Sequence, residues 1–283
     1  MSAVAEADPV DSGATPSSPA SPSEHRSLLP AVMHSELTKL RSVRSTIWSL
    51  IATFGITVGF GALFCWAFIS RYDRLGLREK LTFDATQHSL RGLFLAQLAI
   101  GVLGVLVMTS EYATGLIRTT LTAVPQRRTV LAAKAITFGV VATVVSMVSV
   151  FVAFLLGQAI LHGKHLGVGL GDPHVLRAVV GAGAYLAFVG LFGLALGTIL
   201  RRTAGAIATL FGLVLVIPLL AQALPSPWND DISKVLPSRL GEALFSVRPD
   251  SALLSPGTAL LVLGVWLVAS FALATILLVR RDA

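Results

Sequence analysis

The chain has 283 residues, 54% of them hydrophobic and only 13% charged, with a formal net charge of +7. An ordinary soluble domain carries about a quarter charged residues, so this composition describes a membrane protein, and the length leaves no room for a large soluble catalytic module beside the spans. The basic balance does not point to nucleic acid, because the bases sit at the ends of apolar runs and form no aromatic-laced patch; the single cysteine, Cys65, excludes an intrachain disulfide and a cysteine metal site.

Residues 1–30 are rich in Ala, Ser and Pro and carry no aromatic residue. Such a segment cannot bury enough apolar surface to offset the entropy of ordering, so it is expected to be a disordered cytoplasmic tail. It lacks the basic start and short apolar run of a signal peptide. The rest, 31–283, is expected to be one polytopic domain. Its first segment, AVMHSELTKLRSVRSTI at 31–47, places Met33, Leu37, Leu40, Val43 and Ile47 at helical spacing, with the charged residues Glu36, Lys39, Arg41 and Arg44 around that stripe. The pattern predicts an amphipathic helix lying in the inner membrane surface and leading into the first span.

Six apolar runs follow, at about 46–69, 92–110, 135–161, 178–200, 205–223 and 257–279, none containing Asp, Glu, Lys or Arg. Each is long enough, at about 1.5 Å per residue, to cross a hydrocarbon core of about 30 Å. A charge at mid-membrane costs about 2.5–3.5 kcal/mol on insertion scales, and its absence argues against a pump driven through a buried carboxylate. With both termini cytoplasmic, the four inner segments hold 11 Lys and Arg in 44 residues and the three outer loops 10 in 71, which agrees with the positive-inside rule. Trp48 and Trp66 lie near opposite ends of the first span, as interfacial aromatics do. Gly55 with Gly59, and Gly193 with Gly197, have the spacing of close helix contacts, and Pro218 is expected to kink the fifth span. Gln97 and Gln222 are isolated polar groups in the second and fifth spans.

Between the second and third spans lies SEYATGLIRTTLTAVPQRRTVLAAK, residues 110–134, far more than a connector needs. Glu111 and the Thr114 region are read as opening a helix, since a negative charge suits a helix start; Ile117, Leu121 and Val124 give it one apolar side, and Pro125 stops it. Gln126, Arg127 and Arg128 then make a basic turn, and a second helix runs through Leu131 and Lys134 into the third span. A stiff bend of this kind on the inner surface is a knob that another protein could push.

The run SELTKLRSVRST and the pattern Glu111, Gly115, Leu121, Pro125, Arg127, Arg128, Lys134 resemble the permease subunits of type-2 ATP-binding-cassette (ABC) exporters, over about residues 31–283. The resemblance implies an all-α membrane protein of six transmembrane helices in the cell membrane, with an elbow helix at 31–47 and an intracellular coupling helix within 111–134. It implies that Glu111, Arg118, Arg127 and Arg128 contact, or support contact with, an ATPase, with Gly115 and Pro125 shaping the turn. Leu116 departs from the threonine common there in relatives. The chain has no Gly-x-x-x-x-Gly-Lys-Ser/Thr phosphate loop, so ATP and Mg are expected on a soluble partner subunit and no cofactor on this chain. A second permease chain, identical or paralogous, completes the expected complex, and the second and fifth spans, with Gln97 and Gln222, are expected to line the pathway of an amphipathic cargo.

The outer loop at 224–256 resembles the extracellular helical hairpin of the same family, its acids Asp230, Asp231, Glu242 and Asp250 reading as solvated and not as metal ligands. An intramembrane enzyme fails on inventory: there is no His-Glu-x-x-His motif, all six histidines lie outside the apolar runs, and Ser146 and Ser149 have no base within the spans. A non-transporting membrane anchor or sensor that recruits a cytosolic partner would use the same bend, and stays open as the alternative.

Overall fold

A computed structural model describes residues 24–124, 126–223, 225, 232–248 and 252–281. Every regular element among them is helical. In chain order these are α1 (Glu24–Ser42), α2 (Arg44–Arg71) with a 3-10 turn at Tyr72–Arg74, α3 (Leu77–Thr82), α4 (Ala85–Ser89), α5 (Leu93–Ala113), α6 (Leu116–Ala123), α7 (Arg127–His162), α8 (Val175–Leu200), α9 (Thr203–Phe211), a π-helical turn (Gly212–Val216), α10 (Ile217–Ala221), α11 (Pro237–Phe245) and α12 (Pro256–Arg280). Six stretches are long and apolar enough to cross a membrane, Arg44–Arg74, Leu93–Ala113, Arg127–His162, Val175–Leu200, Thr203–Ala221 and Pro256–Arg280, one for each apolar run of the sequence.

The bundle is organised around α8, which packs against α5, α7, α9, α11 and α12. Its sequence explains the position: from Ala178 to Leu200 only Tyr185 and Thr198 are polar, so it has no polar face to give to water. Closeness to α5 comes from paired glycines. A Cβ on Gly104 would run into the carbonyl oxygen of Gly190, and one on Gly193 into that of Gly101, so the two backbones touch where any side chain would hold them apart. Gly197 belongs to the same contact, with Val105 as its neighbour. Gly55 and Gly59 behave differently. Among the described residues nothing lies within 4 Å of a Cβ built on either, so none of them covers that face of α2.

The fifth span is irregular where Pro218 requires it. Proline removes a backbone donor and its ring crowds the preceding turn, and the helix relaxes by widening to π geometry over Gly212–Val216 before resuming as α10. The end of the bundle opposite α1 is closed by short elements. Gln158 of α7 donates to the Ala85 carbonyl at 3.3 Å and to Ser89 Oγ at 3.0 Å, and accepts from the Val168 amide at 2.8 Å. Arg177 donates to the Leu244 and Ser246 carbonyls, fixing the C-terminal end of α11 against α8.

Three expectations are corrected. The first helix begins at Glu24, so residues 24–30 extend it beyond the stretch read as tail, while 1–23 lie outside the described residues. The apolar stripe does not run to Ile47: backbone at Val43 turns extended (φ −83°, ψ 112°) and starts α2 in a new direction, so Val32, Glu36 and Leu40 are buried while Val43 and Ile47 are exposed. Glu111 does not open a helix; it sits in the last turn of α5, which continues to Ala113.

A charged junction at one end and a cavity at the other

At the α1 end, three helices meet through four side chains. Lys134 Nζ of α7 lies 2.5 Å from Glu36 Oε2 of α1 and 2.8 Å from Glu111 Oε1 of α5. Lys39 Nζ of α1 reaches the same two acids, at 2.8 Å from Glu36 Oε1 and 3.1 Å from Glu111 Oε1. Two acids and two bases make the cluster neutral. Lys134, Glu36 and Glu111 are almost wholly shielded, at 2%, 2% and 6% exposure. Glu111 therefore sits against the helix dipole, at a C-terminus that repels anions, and is held there by the two lysines. Burial pushes the Glu36 carboxyl up, but the charge and hydrogen bonds of Lys134 and Lys39 outweigh it and hold the group below the ordinary carboxylate range. Burial likewise pulls Lys39 down, and its bonds to Glu36 and Glu111 carry it above the usual lysine value.

From this junction α6 projects. Gly115 ends α5 and caps α6 with φ of +73°, a left-handed conformation that residues with a Cβ adopt only at a cost. No side chain caps the start of α6, consistent with Leu116 in place of a threonine. Ile117 is buried, and Leu121 and Val124 are half-buried, so the predicted apolar side of this helix faces the bundle. Arg118 and Arg128 are exposed, as are Arg41 and Arg44 on the neighbouring helices. Pro125 lies outside the described residues.

Arg127 has a different role from Arg128. Its guanidinium Nη1 donates to the carbonyls of Leu278 at 2.9 Å and Arg281 at 3.0 Å, the unsatisfied oxygens at the end of α12. Arg201 Nη2 also donates to the Arg281 carbonyl, and Arg281 Nη1 to that of Ile199. The ends of α7, α8 and α12 are thereby clamped by cations placed where helix C-termini favour them.

At the opposite end a cavity of about 540 Å³ opens between α5, α8, α10 and α11. Both Gln97 and Gln222 line it. Gln97 is buried: its Oε1 accepts from the Tyr185 hydroxyl at 2.6 Å and its Nε2 donates to the Phe94 carbonyl at 3.0 Å. Gln222 is exposed and donates to the Pro218 carbonyl at 3.3 Å. The π turn beside it supplies Val214 and Leu215 to the wall.

The structure thus brings Glu36, Lys39, Glu111 and Lys134 into one junction and Gln97 with Gln222 onto one cavity, and leaves Arg118 and Arg128 exposed. Sequence reasoning missed that Glu36 is the partner of Lys134 across 98 positions. The signal available was the need itself: a lysine entering an apolar run requires a carboxylate, and the inner flanks of the runs offer only Glu36, Glu111 and Asp282. Tyr185 and the arginines at the cavity rim were also missed, because one sequence does not say which loop folds over which span.

Six membrane-length helices, with charge concentrated at the helix ends and in the connectors, define a multi-pass membrane protein. The chain belongs to the ABC-2 family of transporter proteins, whose family model matches residues 32–220, from α1 through α10. Members of this family are membrane transport subunits, which makes the chain an ABC transporter permease. No curated protein matches it.

Proposed function

We propose that the chain is the membrane-embedded half of an ATP-driven exporter, and that a separate soluble ATPase drives it through the bend made by α6 and the start of α7. The observation that carries this reading is the junction of Glu36, Glu111 and Lys134. It locks the amphipathic α1 to the ends of α5 and α7, so a force on α6 moves three helices together and is not lost in a loose loop. Glu111 and Lys134 act as supports for the docking surface, and the exposed Arg118 and Arg128 as the groups that meet the ATPase. Two permease chains facing one another form the pathway, with Gln97 and Gln222 along it and with ATP and Mg held by the partner ATPases. Lipid surrounds the remaining faces.

The test is co-purification with the ATPase, followed by ATP hydrolysis in proteoliposomes. Arg118→Glu with Arg128→Glu reverses two exposed charges without touching the junction. Loss of assembly and of permease-dependent hydrolysis is expected; a variant that assembles and hydrolyses like the wild type would remove the basis of this assignment. An anchor or sensor that only recruits the ATPase would bind it and yet move no amphiphile across the vesicle membrane.

A further inference from the structure

The cavity carries recognition groups that its own walls leave unused. Its apolar lining includes the buried Leu93 and Val214 and the exposed Phe94 and Leu219. Of the two arginines at its rim, Arg239 is bonded to Glu242 at 2.7 Å, so that pair is neutral. Arg91 is not paired in this way. Its guanidinium lies over the ring of Phe64, 5.5 Å from the centroid, and among the described residues no carboxylate or hydrogen-bond acceptor meets its side chain. Stacking occupies the face of the guanidinium and leaves its N–H edge available. Ser238 lines the same cavity, its hydroxyl oxygen shielded from water and, among the described residues, without a hydrogen-bond partner. Gln97, with one N–H engaged by the Phe94 carbonyl, keeps a second amide N–H.

The geometry points to an amphiphile with one apolar tail and an anionic head as the molecule this cavity takes. The volume falls within the range of about 300–1,000 Å³ typical of small-ligand sites, and suits one small amphiphile, not a folded chain or a polymer. The head, a phosphate, sulfate or carboxylate, meets the unpaired guanidinium of Arg91, with neutral donors from Ser238 and Gln97; the tail lies along the leucine, phenylalanine and valine wall. A cationic head would meet Arg91 as a like charge, and a neutral one would leave that charge unanswered. That the bound molecule is also the transported one rests on the transport reading above.

The full-length chain in nanodiscs of zwitterionic lipid, titrated with radiolabelled dodecyl phosphate, tests this without any ATPase present. Saturable binding is expected, about tenfold or more weaker in Arg91→Gln, since a hydrogen bond to a charged group is worth roughly that factor. Arg91→Lys should recover part of the loss, and Leu215→Trp, which narrows the cavity from its wall, should weaken binding. Unlabelled dodecyltrimethylammonium should not compete. Arg78→Gln, an exposed cation at the same end, should bind as the wild type does. Equal affinity in Arg91→Gln, equal loss in Arg78→Gln, or full competition by the cationic amphiphile would each overturn the proposal. Retained anion preference combined with failure of the ATPase to assemble would instead count against the transport reading alone.

Discussion

Lys134 answers two carboxylates at once, and that makes it the most consequential single side chain at the α1 end. Replacing it with methionine leaves Glu36 and Glu111 sharing only Lys39, and removing one partner from a buried ion cluster costs about 3–5 kcal/mol. Lys134→Met is therefore expected to lower unfolding stability in detergent by that order. The double variant Lys134→Met with Glu111→Leu should lose less than the single one, because an apolar pair of similar volume replaces an orphaned charge. Acid acts on the same group. The folded-state pKa of Glu36 lies below its ordinary 4.5, so its contribution is complete above that value and disappears as the pH falls through the depressed one. Protease sensitivity between α1 and α2 should rise in that acid window and stay flat from pH 5 to 8; in Glu36→Gln the acid step should be reduced.

Among the elements, the contact of α5 with α8 is the least tolerant. Gly193→Leu would drive a side chain into the Gly101 carbonyl and force the central pair of helices apart, whereas in Gly55→Leu the added Cβ meets nothing within 4 Å among the described residues. Thermal unfolding of the solubilised single chain should separate the two variants by several degrees, with Gly193→Leu the lower. Much at this scale was legible in the sequence. Six apolar runs became six membrane-length helices because length and lack of charge are sufficient signals in lipid. Pro218 announced its irregular span, though not that the relaxation would be π-helical. What sequence could not give was helix direction at a boundary: one stripe running from Met33 to Ile47 could not reveal the break at Val43, and Glu111 read equally well as a helix start until α5 was seen to continue past it. Gln97 and Gln222 were visible as isolated polar groups, but their meeting on one cavity depends on how α11 and α8 pack, which no local pattern encodes.

For the whole molecule, the different bonding of Arg127 and Arg128 separates a structural role from the proposed coupling role. Arg127 closes the end of α12, so Arg127→Glu should destabilise the isolated permease as well as any complex it forms. Arg118→Glu should leave the stability of the isolated chain within about 0.5 kcal/mol, as surface changes usually do, and affect only the complex. Unfolding of the purified chain, with and without the ATPase, separates these cases. The transport account as a whole requires the bend at 116–128 to lie on the ATPase side of the membrane and to touch it.

Cysteine cross-linking tests that requirement most directly, and Cys65, fully buried, can stay in place. With a cysteine at the exposed Thr119 of α6 and another at the exposed Leu81 of α3 as the opposite-end control, membrane vesicles holding the chain and its ATPase are treated with a short bifunctional maleimide. Cross-linking of the ATPase from Thr119→Cys and none from Leu81→Cys is the predicted result. Labelling of Thr119→Cys by an impermeant reagent added outside intact cells, with no cross-link formed, would contradict the account.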